Sequence, residues 1–232
     1  MEQSVDEHKP RKQAVDFDIC KRNLILKLRK ELDKSKKGSV DEPIVDLVNY
    51  INKTKDFCTT SSCSGRFSVF CAEYDEAKGE QVSKGGKWLF VEHRVVTPTE
   101  LMDATLRELP CCKGVTLFKL EPFVLHVQCR TPEKAQEMLT LAVAAGFRES
   151  GILLGRRTIL GIRTTANSME FPIAENGKLL ISKEYLEYVV NYGNAKFQDN
   201  LRRINVFFAS VKTTFPQEEE QQASKKRRIQ ID

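Results

Sequence analysis

Apolar residues at Phe17, Cys20, Leu24, Leu28 and Leu32 recur every three or four positions, which predicts an amphipathic helix from 17 to about 35. Its other face carries Lys21, Arg22, Lys27, Arg29 and Lys30, a solvated face or one that meets a phosphate backbone. A break at 36–39 precedes a second helix, with Pro43 in its first turn, Ser39 or Asp41 as its cap and Ile44, Leu47, Val48 and Ile51 as its buried stripe. The period then changes to two. Phe67, Val69 and Cys71 alternate with Arg66, Ser68 and Phe70, so a strand covers 66–73. The charged, glycine-containing stretch 74–86 reads as a loop, and 88–91 as the next strand.

Thr97-Pro98-Thr99-Glu100 carries the cap, first-turn proline and capping-box acid of a helix start, with Leu101, Thr105 and Leu109 inward. Strands follow at 115–120 and 123–128. Thr131-Pro132 starts a further helix, which Gly146 closes in a left-handed conformation. Further strands fall at 152–154, 158–163 and 169–173. Ser182 caps a last helix to about 211, in which Gly193 costs about 1 kcal/mol relative to alanine and weakens or bends the helix. Helices and strands alternate without a regular βαβ rhythm. The expected fold is α+β, a single domain over 17–215 with a mixed sheet flanked by helices, between a disordered arm at 1–16 and a disordered charged tail at 216–232.

Composition narrows the function more by exclusion than by assertion. The N-terminal residues have no apolar core of a secretory signal, and no apolar run approaches the roughly 20 residues of a membrane span. The formal charge of +5 in 232 residues is concentrated. Residues 1–40 hold 11 Lys and Arg against 7 Asp and Glu, the tail is balanced, and the body is nearly neutral. Seven cysteines without a C-x-x-C pair read as reduced, packed thiols of a cytoplasmic protein. His8, His93 and His126 stand in no metal-ligand spacing, so no metal is expected. Lys225, Lys226, Arg227 and Arg228 form a basic tract of the kind that serves as a nuclear signal.

G-x-G-x-x-G after a strand, the P-loop, G-x-S-x-G and H-E-x-x-H are all missing. Four clusters remain. Ser61, Ser62, Ser64, Gly65 and Arg66 suit a carboxylate or phosphate cradle, and equally a strand end and turn. Lys84 and Lys87 flank a glycine pair before Trp88, the single tryptophan, with His93 further on; the indole can seat a flat ring or pack in the core. Between Glu121 and Gln128, alternation sets His126 and Gln128 on one face of an otherwise apolar strand, the wall of a site. Arg148, Ser150 and Gly151, with Arg156, Arg157 and Arg163, make either a helix exit turn beside a solvated strand or a phosphate-binding rim.

Ser61-Ser-Cys-Ser-Gly-Arg66, Lys84-Gly-Gly-Lys-Trp88 with His93, Glu121-Pro-Phe-Val-Leu-His-Val-Gln128, Ala145-Gly-Phe-Arg-Glu-Ser-Gly-Ile152 and Ile162-Arg163 occur in one order. That order resembles the tRNA wybutosine-synthesising protein 3 family, as does Lys37-Gly-Ser-Val-Asp-Glu42, over about residues 17–210. The resemblance implies an S-adenosylmethionine-dependent methyltransferase without the Rossmann-type fold. It acts on a ring nitrogen of a tricyclic wyosine intermediate beside the anticodon of phenylalanine tRNA. Transfer from a sulfonium needs the acceptor nitrogen in line, and a protonated ring nitrogen needs a base. His126 or His93 is expected to be that base. Ser61, Ser62, Ser64 and Arg66 are expected to hold a carboxylate, Trp88 to stack on a ring, and Lys84, Lys87, Arg148, Arg156, Arg157 and Arg163 to meet tRNA, in a monomer that contacts no membrane. Two other classes fit the same residues less fully: a non-catalytic tRNA-binding module, and an enzyme acting on a small-molecule carboxylate.

Overall fold

The computed structural model describes residues 16–29, 39–75 and 80–217, without the side chains of 27–29, 73–75 and 80–84. Most of the arm, about the last third of the first predicted helix and the basic tract of the tail lie outside them. In chain order the elements are α1 (Phe17–Arg29), a 3-10 turn (Glu42–Ile44), α2 (Val45–Lys53), β1 (Phe57–Cys63), β2 (Arg66–Asp75), β3 (Glu80–Glu92) and α3 (Pro98–Glu108). Then come β4 (Val115–Glu121), β5 (Val124–Cys129), α4 (Pro132–Ala144), β6 (Gly151–Leu153), β7 (Thr158–Arg163), β8 (Met169–Glu175), β9 (Lys178–Leu179) and α5 (Lys183–Thr214).

The class is α+β, but the expected mixed sheet is two sheets, β1-β5-β7-β6 and β3-β2-β4-β8-β9, and every ladder is antiparallel. The two are joined at a seam. Strands β1, β5 and β7 of the first sheet continue into β2, β4 and β8 of the second through three short links, at 64–65, 122–123 and 164–168. Pro122 has no amide hydrogen for a ladder, and Gly65 sits at φ +104, where a side chain is strained. A Cβ on Gly65 would also stand 2.9 Å from the carbonyl oxygen of Glu121. The strands therefore break together along one line.

Helix α5, about 48 Å long at 1.5 Å per residue over its 32 residues, runs under both sheets. Leu186, Val189, Val190 and Phe197 join the core of the five-stranded sheet with Phe67, Phe118 and Leu120. Ile204, Phe207 and Val211 join the core of the four-stranded sheet with Phe57, Phe123 and Phe147. Gly193 does not break the helix. It makes room for Phe67, whose ring carbon Cε1 would lie 2.8 Å from a Cβ there. Burying a phenylalanine contributes about 1.5–3 kcal/mol, more than the ~1 kcal/mol of poor helix propensity.

Local signals translated directly. Thr97 and Glu100 form the reciprocal capping box, Thr131 and Ser182 cap α4 and α5, and Gly146 has φ +101. Three readings change. Strand β1 was hidden because Phe57-Cys-Thr-Thr-Ser-Ser-Cys63 lacks clean alternation, and its register slips between Thr59 and Ser61. The expected loop at 74–86 is partly the first half of β3, which pairs with the end of β2. Lys21 leaves the basic outer face of α1: its ammonium donates to the carbonyls of Thr54 and Phe57, and burial lowers its pKa.

Candidate active site

Register across the four-stranded sheet sets Ser61, His126, Gly161 and Gly151 in one row on β1, β5, β7 and β6. Ser61 Oγ is 2.9 Å from His126 Nδ1. A Cβ at Gly161 would lie 3.6 Å from His126 Nε2, so the free ring nitrogen hangs over bare backbone. The two glycines floor a cleft of about 320 Å³ walled by His126, Glu149, Ile152, Leu153, Ile159 and Arg163. Gln128 stands two positions from His126 on the same side of β5, but is 2% exposed, and its Oε1 has no hydrogen-bond partner among the described residues.

A second cluster gathers at the seam, two residues along β1. His93 Nδ1 lies 3.0 Å from Asp41 Oδ2 and 3.9 Å from Cys63 Sγ. The Ser64 amide donates to the same Asp41 oxygen at 2.8 Å. Asp41 therefore does not cap the turn that follows it; its carboxylate reaches across to the seam. The three donor atoms of Asp41, Cys63 and His93 fall within 4.8 Å of one another, a spacing that also suits one divalent cation. The Nδ1–Oδ2 contact itself is that of a hydrogen-bonded ion pair. Asp41 first, and then Cys63, push the His93 pKa up to about 9, so the imidazole is a cation at neutral pH.

A histidine whose pKa is higher folded than unfolded adds stability that is full below its free value of about 6.5 and lost as pH rises through about 9. Urea unfolding repeated between pH 6 and 10 should show stability falling across that window, and Asp41→Asn should flatten the fall. An unchanged profile in that variant would remove the ion pair from the account.

On the five-stranded sheet beside the seam, Arg66 pairs with Glu121 at 2.5 Å, opposite it in register, and its guanidinium lies 5.1 Å from the Trp88 ring centre. Trp88 is 40% exposed and packs on Phe70 at 4.7 Å, so it is neither a core residue nor a bare platform.

The structure thus separates residues that are contiguous in the chain. Ser61 belongs to the His126 row. Ser62 lies opposite Leu125, on the other face of β1 by alternation. Ser64 is fully buried, with its hydroxyl on the Gly65 carbonyl, and Arg66 is matched by Glu121. These four do not form one cradle. Ser150 ties the exit of α4 to β7, donating to the Phe147 carbonyl and accepting from the Arg163 amide. Arg148 is exposed, and Arg156 and Arg157 stand at the tip of the β6–β7 hairpin. Lys87 lies away from the seam, paired with Glu108 at 2.5 Å beside Cys71, Cys111 and Cys112. The Lys84 side chain lies outside the described residues. The sequence did not single out Cys63 or Gly161 as site residues, and it offered Asp41 only as a cap candidate, 23 positions from Ser64 and joined to it only by the fold.

Among the described residues, no helix is long and apolar enough to cross a membrane. The sequence profile of the family described as Methyltransferase TYW3 matches residues 20–213. The tRNA wybutosine-synthesizing protein 3 homolog of Xenopus laevis is 40% identical over 192 residues, 82% of this chain and 74% of that protein. The human homolog of the same name is 39% identical over 179 residues, 76% of this chain and 66% of that protein. A protein of Arabidopsis thaliana, tRNA wybutosine-synthesizing protein 2/3/4, is 33% identical over 212 residues, 85% of this chain but 21% of its own length. A solved Pyrococcus horikoshii protein superposes with a TM-score of 0.72 at 30% identity, covering 84% of this chain and 95% of that one. Matched over most of its length and across both sheets, the chain belongs to the TYW3 methyltransferase family.

Proposed function

We propose that the chain transfers a methyl group from S-adenosylmethionine to a ring nitrogen of a tricyclic wyosine intermediate beside the anticodon of phenylalanine tRNA. The observation that carries this reading beyond family membership is the His126 imidazole, fixed at Nδ1 by Ser61, with Nε2 open over a glycine floor. In the tautomer whose Nδ1–H donates to Ser61 Oγ, Nε2 is the base that takes the proton of the acceptor nitrogen. The cleft, about 320 Å³, is of ligand size, and the missing side chains of Gly151 and Gly161 let a flat ring lie close to the backbone.

Bound S-adenosylmethionine supplies an electrophilic methyl on sulfur. The residues present fit such a ligand: the His93 cation suits its carboxylate, and the half-exposed Trp88 ring suits a planar base. His93 carries a proton at neutral pH, so it binds rather than abstracts, and the base assignment falls to His126. Arg163, on the rim of the cleft, adds a positive charge for the RNA backbone.

The test incubates the chain with labelled S-adenosylmethionine and tRNA from cells blocked at successive steps of wybutosine formation, then weighs the nucleosides. One tricyclic nucleoside should gain the mass of a single methylene. Methylation of none of them overturns the reading. Binding of tRNA without binding of S-adenosylmethionine would assign the chain to a non-catalytic module instead.

A further inference from the structure

The proposed reaction requires the tricyclic base to leave the stack of its loop and enter the cleft at His126. Something must then cover the neighbouring base. The β6–β7 hairpin stands at the mouth of that cleft. Leu153 lies opposite Ile159, and both line the cleft with His126. Leu153 is 70% exposed and its neighbour Leu154 65%, at the tip of a strand that forms the sheet edge. Among the described residues, no large apolar side chain is more exposed than Leu153, and no other two that are adjacent in the chain are both exposed.

The next residues are Gly155, Arg156 and Arg157. Both arginines are exposed, and neither pairs with a carboxylate among the described residues. Arg66, Arg94, Arg130, Arg202 and Arg203 all do. The tip therefore combines apolar surface for a base face with unneutralised guanidinium groups for phosphates. An acidic or purely apolar protein partner would use one half of it, whereas an RNA loop uses both.

Resting on the function proposed above, we infer that Leu153 and Leu154 form a wedge. They enter the RNA loop and take the stacking place of the target nucleotide, while Arg156 and Arg157 hold the flanking phosphates. Apolar wedges are a general way to offset the cost of unstacking. The wedge sets specificity for a base in a loop, and it touches no reacting atom.

The test uses an anticodon stem-loop carrying the tricyclic nucleotide, with 2-aminopurine as the adjacent base. Binding to the unmodified chain should raise the fluorescence as the base unstacks, and Leu153→Asn with Leu154→Asn should abolish the rise. The same variant should raise KM for the stem-loop about tenfold while leaving S-adenosylmethionine affinity unchanged, which also shows that it folds. Arg156→Gln with Arg157→Gln should weaken stem-loop binding and flatten its salt dependence. A leucine variant with unchanged fluorescence and KM overturns the wedge. So does sedimentation in which the unmodified chain is a dimer and the leucine variant a monomer, since the leucines would then belong to a self-interface. If the unmodified chain unstacks the base but methylates nothing, the proposed chemistry fails and the wedge stands.

Discussion

Replacing His126 with alanine should slow single-turnover methylation by about 10²–10⁴-fold, the usual contribution of a positioned general base. The affinity for S-adenosylmethionine should stay where it was, because the proposal puts the acceptor at the His126 row and the cofactor carboxylate at His93, which lies apart from that row at the seam. Ser61→Ala should have a smaller effect in the same direction. Without the 2.9 Å contact the imidazole keeps its chemistry and loses its fixed tautomer and orientation. Asp41→Asn should behave differently, raising the concentration of S-adenosylmethionine needed while changing the chemical step less, since it weakens a binding cation. Rapid-quench measurements at saturating cofactor separate the two. A His126→Ala enzyme with an undiminished chemical step would return the role to His93 or to a base carried by the RNA.

What the sequence revealed depended on how local each signal was. Thr97-Pro98-Thr99-Glu100 states its own structure, because both partners of the capping box lie within one turn. The strand at 158–163 was legible from its apolar run, with Gly155 before it. Strand β1 was not, since its outward face is hydroxyl-rich and its register slip breaks the period of two. At the site the limitation has the same source. His126 and Gln128 were found because they alternate on one strand. Ser61, Gly161 and Gly151 joined His126 only through cross-strand register, which a single sequence does not display. In the sequence, Asp41 is one of two candidate helix caps with Ser39, because its chain neighbours allow that. Its partners, Ser64 and His93, stand just beyond the ends of β1 and β3, and are reached only once the seam is closed. The family's ordered motifs located these segments; the two sheets decided which side chains in them meet.

The seam itself should be the most fragile part of the fold, and Asn200 is the test of that. Its side chain is 1% exposed and spans two of the three links between the sheets. Its amide nitrogen donates to the Ser64 carbonyl at 2.8 Å, and its amide oxygen accepts from the Phe123 amide at 2.8 Å. Asn200→Leu keeps the approximate shape and removes both partners. A buried backbone donor and a buried acceptor are then orphaned, at about 1–3 kcal/mol each. Urea unfolding should give a loss of about 2–6 kcal/mol, a large share of a typical stability of 5–15 kcal/mol. The loss should not be confined to stability. Ser64 would be free to shift, and with it the amide that holds Asp41 against His93. In Asn200→Leu the His93 titration should therefore move down from about 9 toward its free value, as followed by the imidazole proton resonances. A variant with full stability would mean that the three links hold without the clamp. A destabilised variant with His93 still titrating near 9 would mean that the Asp41–His93 pair is held by its own sheet and not by the helix beneath it.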